Sequence, residues 1–173
     1  MVSVPWRHVN SWLCNGCGLC CREFEVVLRF DEWLNLIRTY GMSVTKAGLN
    51  SFYLGKKSDE TCLFLCSLYG RWLCGLQNMK PMACKIWPFK ILGHPRYGSA
   101  REAIFRYNER DFFVYVDSFC PQISWGQPTP ELVRKIIPEF IEIALGTRKK
   151  QAYSTSSTMS SLFPPANRDY KLI

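Results

Sequence analysis

Four cysteines fall within eight positions in the stretch CNGCGLCCREF, residues 14–24. Cysteine thiolates are ligands for zinc and for iron–sulfur clusters, and a C-x-x-C spacing brings two of them together through one tight turn. An Asn-Gly pair favours that turn between Cys14 and Cys17. Gly18 can adopt a positive φ, which lets backbone N–H groups approach the sulfurs. The stretch therefore predicts a metal-binding knuckle.

Cys20 extends the spacing to C-x-x-C-x-x-C. In bacterial ferredoxins this spacing supplies three ligands to one [4Fe–4S] cluster, which a remote Cys-Pro accompanies. Cys120-Pro121 is a remote Cys-Pro in this chain. The pattern fits an iron–sulfur cluster more closely than zinc, although spacing alone leaves both open.

The remaining cysteines predict a second group of ligands. We expect Cys21 to point away from Cys20 and toward a second site, whose other candidates are Cys62, Cys74 and Cys84. Two groups of four is the simplest partition, and a single site surrounded by free thiols is the alternative. We interpret Cys66 as a small buried hydrophobe. The predicted ligands of the cluster or metal are thus Cys14, Cys17, Cys20, Cys21, Cys62, Cys74, Cys84 and Cys120.

The segment KPMACKIWPF, residues 80–89, surrounds one of these ligands with prolines and aromatics. Pro81 restricts the backbone before Cys84, and Pro88 stops a helix soon after it. We expect Trp87 and Phe89 to shield the site from water, which strengthens metal–thiolate electrostatics.

Together these motifs resemble the YkgJ-type CxxCxxCC cysteine-cluster family, which is described as a zinc- or iron-chelating domain. The matching motifs are Cys14-x-x-Cys17-x-x-Cys20-Cys21, Cys62-Leu-Phe-Leu, Cys74, Pro81-x-x-Cys84-x-x-Trp87-Pro88-Phe89 and Cys120. The resemblance implies that all eight predicted ligands fall on the family's cysteines. Two positions differ: Lys80 stands where the family usually has arginine, and Gln122 where it often has glycine.

Size and composition place these motifs in one small domain. The chain has 173 residues, of which 47% are hydrophobic, so it can bury a core without disulfides. Nine cysteines in a reducing compartment favour metal or redox chemistry over a disulfide framework. The start, MVSVPWRHVNSWLC, lacks a signal-peptide pattern, and no apolar run approaches the ~20 residues of a membrane span. We therefore expect a cytoplasmic protein without a membrane partner.

The formal charge of +8 raises the possibility of a nucleic-acid partner. Eight thiolates on two divalent ions would lower that charge to about +4. The basic residues are also spread out, apart from residues 148–150 and 56–57. We therefore expect an unidentified protein or redox partner, and keep an accessory role in a nucleic-acid-handling assembly as an alternative.

The sequence gives little support to an enzyme. It contains only two histidines, His8 and His94, and no HExxH motif. Metal binding for electron transfer, sensing or an accessory role is the first hypothesis, and a structural zinc module is the alternative.

The segments that surround and connect the cysteines predict an α+β fold with short antiparallel strands and a few helices. Strands are predicted at residues 23–29, 52–54, 62–76, 102–107 and 112–117, with turns at Gly70 and at NERD. Helices are predicted from Asp31 to Gly41, and from Thr129 to Leu145 with a kink at Pro138. We expect a metal-binding domain over residues 1–150 and a flexible Ser/Thr/Pro-rich tail over 151–173.

Overall fold

The computed structural model describes residues 2–68 and 70–153, and its largest sheet is built on one long strand. Strand β10 (Arg110–Asp117) pairs antiparallel with β1 (Ser3–Pro5), β8 (Phe89–Leu92) and β9 (Ile104–Tyr107). Tyr115 pairs with both Pro5 and Lys90, so β10 is central at that point. The far end of β10 leads directly to the turn that carries Cys120.

Three smaller antiparallel sheets complete the strand structure of the described residues. They are β2 (Val9–Trp12) with β11 (Ile123–Trp125), β5 (Phe52–Leu54) between β3 (Val27–Leu28) and β4 (Thr45–Ala47), and β6 (Leu65–Leu68) with β7 (Arg71–Cys74). The α-helices are α1 (Leu19–Glu23), α2 (Phe30–Tyr40), α3 (Met82–Ile86), α4 (Ala100–Ala103) and α5 (Ile137–Ala144). The predicted α+β class with short antiparallel strands is confirmed.

The hairpin around NERD and the C-terminal helix form where the sequence predicts them. The Thr129 hydroxyl accepts a hydrogen bond from the N–H of Leu132, as a capping residue does. A π-helical turn, Leu132–Ile136, precedes α5. Pro138 lies just inside α5 and has no N–H to donate. The hydrogen-bond pattern changes from π-helical to α-helical near this point, but the chain is not divided into two separate helices.

Two local predictions are wrong. Glu23 ends α1, and the strand predicted over residues 23–29 is only β3. Helix α2 begins at Phe30 rather than after Asp31, and it ends before Gly41 as predicted. Leu36 is its buried residue, and Tyr40 at its end is exposed.

The buried apolar residues form two clusters. The first contains β2, β10 and α5 residues such as Trp12, Val114 and Phe140. The second contains α2 and β5–β7 residues such as Leu36 and Leu65. Two predicted ligands belong to these clusters, Cys120 to the first and Cys62 to the second, so the candidate site connects the two parts of the core.

The end of the described chain packs against the protein. Ala152 and Tyr153 donate backbone hydrogen bonds to Oε1 of the buried Glu139. Gln151 donates through Nε2 to the carbonyl oxygen of Lys85 in α3. The remainder of the predicted tail, residues 154–173, lies outside the described residues. In the part of the chain that is described, no helix has the length and apolar character needed to cross a membrane.

Candidate metal centre

All eight predicted ligands line one cavity of about 230 Å³. Cys120 belongs to the first apolar cluster and Cys14 packs against it. Cys62 belongs to the second cluster, against which Cys21 and Cys74 pack. The cavity therefore lies where the two apolar clusters meet.

Cys14, Cys17 and Cys120 approach the cavity from the ends of two sheets. Cys14 follows β2, and Gly18 at φ 74° turns the chain into α1 directly after Cys17. Cys120 lies in a tight turn after β10, in which its N–H donates to the carbonyl of Asp117. The electrostatic neighbours of the Cys120 thiol include Cys14 and Cys17.

The second group approaches from a helix, a hairpin and α3. Cys21 lies in α1, Cys74 ends β7 and Cys84 lies in α3. The N–H of Cys62 donates to the carbonyl of Cys21 at 2.8 Å, which ties the two segments together. The thiol of Cys84 interacts electrostatically with those of Cys74, Cys20 and Cys62.

The expectation that Cys21 points away from Cys20 is wrong. Their sulfur atoms lie 3.9 Å apart in a hydrogen bond. Adjacent residues on a helix are separated by about 100°, so both side chains of α1 can face one cavity. Cys20 interacts electrostatically both with Cys14, from the first predicted group of ligands, and with Cys21, from the second. It therefore lies between the two groups.

Backbone N–H groups point at several of the sulfurs. In four cases the donor lies two residues after the cysteine: the pairs are Cys14–Gly16, Cys62–Phe64, Cys74–Leu76 and Cys120–Gln122. Hydrogen bonds to sulfur stabilise the thiolate form that a metal requires. This local pattern is what a turn after a metal-binding cysteine provides.

The thiols are held in an environment that opposes free thiolates. Burial raises the pKa values of the thiols of Cys14, Cys62, Cys74, Cys84 and Cys120. The hydrogen bond between Cys20 and Cys21 lowers the pKa of Cys20 and raises that of Cys21. A bound cation would supply the charge that makes buried thiolates stable.

Trp72 closes one wall of the cavity against the knuckle. The backbone N–H of Trp72 donates to the carbonyl of Gly16 at 2.8 Å. A Cβ atom at Gly18 would lie 2.8 Å from the Cβ atom of Trp72. Glycine is therefore needed at this position for two reasons: the positive φ and the close approach of the β6–β7 hairpin.

The aromatic shield is only partly where the sequence predicts it. Trp87 lines the cavity and packs on Phe24, with 4.4 Å between ring centroids. Phe89 is buried in the first apolar cluster instead. Sequence reasoning missed Trp12, whose Nε1 donates to the sulfur of Cys120 at 3.4 Å. Trp12 and Cys120 are 108 residues apart in the sequence, and no local pattern signals their contact.

Cys66 lies outside the cavity. It is exposed on β6, so the interpretation as a buried hydrophobe is wrong. Its thiol donates to the carbonyl of Leu73 at 3.3 Å. All nine cysteines lie in described segments, and all nine are free thiols.

The donor set fits a thiophilic metal. Thiolates select zinc and iron–sulfur clusters over hard cations. Among the described residues, no three histidine, cysteine or acidic side chains converge closely enough to hold an ion as they stand. The eight thiols instead surround a shared space, and the assignment of individual ligands stays a prediction.

The fold and the cavity define a small α+β domain with a cysteine-lined cavity. A family model named CxxCxxCC, with the description "Putative zinc- or iron-chelating domain", matches residues 13–121. Since this is more than half of the chain, the protein belongs to the CxxCxxCC family. The resemblance seen in the sequence is thereby confirmed, and membership supports cysteine-ligated binding of zinc or iron. Searches of curated proteins and of solved structures found no match.

Proposed function

We propose that the protein holds an iron–sulfur cluster in the cysteine cavity and acts with a protein partner in electron transfer, sensing or an accessory role. The observation that carries this proposal is the arrangement of eight thiols around one cavity. The C-x-x-C-x-x-C spacing with the remote Cys120-Pro121 supports a [4Fe–4S] cluster at Cys14, Cys17, Cys20 and Cys120. The thiols of Cys21, Cys62, Cys74 and Cys84 would hold a second centre.

The hydrogen bonds to sulfur support a redox role. The indole N–H of Trp12 and the backbone N–H of Gln122 both point at Cys120. Hydrogen bonds to the sulfurs are one of the means by which proteins set the potential of a cluster. The apolar walls, including Trp72 and Trp87, would keep water from the centre.

One distance favours structural zinc as a second candidate. The sulfurs of Cys20 and Cys21 are 3.9 Å apart. Two ligands of a tetrahedral ion with bonds of about 2.3 Å stand about 3.8 Å from each other. These neighbours could therefore share one zinc ion, which would make the domain a structural interaction module.

The test is the metal content of protein purified without oxygen. Iron and sulfide in about equal amounts, with a visible band that reductant bleaches reversibly, support the cluster. Zinc without a visible band overturns the cluster and supports the alternative. Cys17→Ser is expected to lose metal, whereas Cys66→Ser, outside the cavity, is expected to keep its full content. Equal losses in both variants would contradict the predicted ligand set.

A further inference from the structure

We propose that Lys80 is a positioning residue that balances the negative charge of the metal–thiolate centre. The inference rests on cysteine-ligated metal binding and holds for zinc as for an iron–sulfur cluster. Lys80 is not a ligand in this proposal. Its ammonium group stabilises thiolates that the metal has deprotonated.

The position of Lys80 carries the argument. Lys80 is only 6% exposed, and it lines the cavity together with the eight cysteines. It stands between the 3₁₀ turn Gln77–Met79 and α3. Burying an ammonium group is costly unless negative charge lies close to it. Metal-bound thiolates supply negative charge in this cavity.

Other buried charges in the described chain follow the same rule. Asp117 is 1% exposed and pairs with Lys90 at 3.1 Å. Glu139 is also 1% exposed and pairs with Arg148 at 2.8 Å. Charge is thus buried in this protein together with charge of the opposite sign. Lys80, which lines the cysteine cavity, would face the negative charge of metal-bound thiolates in the same way.

The charge of Lys80 reaches both groups of thiols. It interacts electrostatically with Cys14 and Cys20, and also with Cys74 and Cys84. An ion such as Zn²⁺ with four thiolates has a formal charge of about −2, and low-dielectric surroundings strengthen its attraction to a nearby cation. A lysine offers a compact charge with three rotatable N–H donors, which suits several sulfurs in different directions.

The experiment compares Lys80→Met, Lys80→Arg and Lys46→Met with the wild type. Lys46 is exposed on β4, so its variant makes the same change in net charge away from the cavity. Each protein is purified without oxygen, and a chelator competes for the bound metal. We expect Lys80→Met to lose about 10- to 100-fold in metal affinity, the usual effect of removing an outer partner of a metal site. Lys80→Arg should recover most of that loss, and Lys46→Met should match the wild type.

A second measurement separates charge balance from simple packing. Thermal unfolding is recorded for metal-free and metal-loaded protein. Charge balance predicts that Lys80→Met destabilises the metal-loaded protein more than the metal-free protein, because only the loaded centre carries the negative charge that Lys80 balances. A purely structural role would lower the stability of both forms by the same amount. The chelator competition uses loaded protein and decides the question even if the metal-free chains do not fold.

The outcomes also separate this inference from the proposed function. If wild-type protein holds metal and Lys80→Met retains it equally well, Lys80 has no role in charge balance. A loss in Lys80→Arg as large as that in Lys80→Met would likewise overturn the inference. If wild-type protein prepared without oxygen holds neither zinc nor iron, metal binding itself fails, and the inference fails with it.

Discussion

The carboxylate of Glu32 in α2 accepts a hydrogen bond from the N–H of Met82, the first residue of α3, with 2.6 Å between the two atoms. Its other oxygen accepts from the N–H of Arg29, at the start of α2, at 3.0 Å. One side chain therefore caps two helices. Because α3 carries Cys84, this contact connects the position of a predicted ligand to a helix 50 residues earlier in the chain.

Glu32→Ala should destabilise the protein by about 1–2 kcal/mol, because two N–H groups lose their acceptor. It should also weaken metal retention, since Cys84 is then held less firmly. Urea unfolding and chelator competition measure the two effects. Asp31→Ala is the control, because Asp31 is an exposed acid in the same helical turn. A larger effect of Asp31→Ala would show that Asp31, rather than Glu32, stabilises the start of α2.

Gly18→Ala should be more harmful than the loss of a positive-φ glycine alone. A left-handed conformation costs a non-glycine residue about 1–2 kcal/mol. At Gly18 the added Cβ also meets the Cβ and Cγ atoms of Trp72, at 2.8 and 2.9 Å. Overpacking of this kind adds about 1–3 kcal/mol. The hairpin that ends at Cys74 must then move away from the knuckle.

Gly98→Ala is the matched control for this prediction. Gly98 has φ +78°, close to the +74° of Gly18, and its added Cβ would meet nothing within 4 Å. Thermal unfolding and metal content of the two variants are compared. Equal destabilisation, or full metal content in Gly18→Ala, would contradict a packing role for Gly18 against Trp72.

Elements with strong local signals could be predicted from the sequence. The turn NERD between two apolar strands gives the β9–β10 hairpin, and Thr129 followed by Pro130 gives the start of the C-terminal helix. Strands that depend on distant partners could not. Strand β1 pairs Ser3 with Asp117, and nothing in the first five residues signals that pairing.

The same distinction between local signals and distant contacts applies to the candidate site. Residue type and spacing predicted the eight thiols that line the cavity, because metal ligands need particular side chains in tight turns. The surroundings of those thiols could not be predicted. The burial of Lys80 depends on how two apolar clusters meet, and the proximity of Cys20 to Cys21 depends on a five-residue helix that begins at a glycine N-cap.

Glu142 gives the stability a small pH dependence. The hydrogen bond from the Tyr107 hydroxyl, at 2.6 Å, and then that from Arg148 lower the pKa of Glu142 below its ordinary value of 4.5. The folded state therefore favours the carboxylate. Its contribution is present above pH 4.5 and is lost as the pH falls through the lowered pKa.

Glu142→Gln should therefore be less stable than wild type at pH 7, by no more than about 1 kcal/mol because these groups are partly exposed. The difference should shrink below pH 4.5. Urea unfolding of both proteins at several pH values measures it, and any metal release in acid affects both proteins. Glu60→Gln, in an exposed loop, should show no such trend. A difference that is constant with pH would contradict the assignment.

Trp12→Phe should alter the metal centre as well as the core. The indole packs edge-on against Phe89 and Phe140, and its N–H donates to the sulfur of Cys120 at 3.4 Å. Phenylalanine keeps an aromatic ring but removes the donor. Without that hydrogen bond, added negative charge on the centre is less stable, so a bound cluster should have a lower reduction potential. Bound zinc should instead be released more readily to a chelator.

Trp6→Phe separates this effect from lost packing. Trp6 is also buried, packs edge-on against Phe105 and donates from its indole, but to the carbonyl of Ile104. Both substitutions should cost a few kcal/mol of stability, on the order of other large-to-small core changes. Only Trp12→Phe should change the potential or the metal affinity. Matching shifts in both variants would mean that the metal responds to loosening of the first apolar cluster rather than to the hydrogen bond on Cys120.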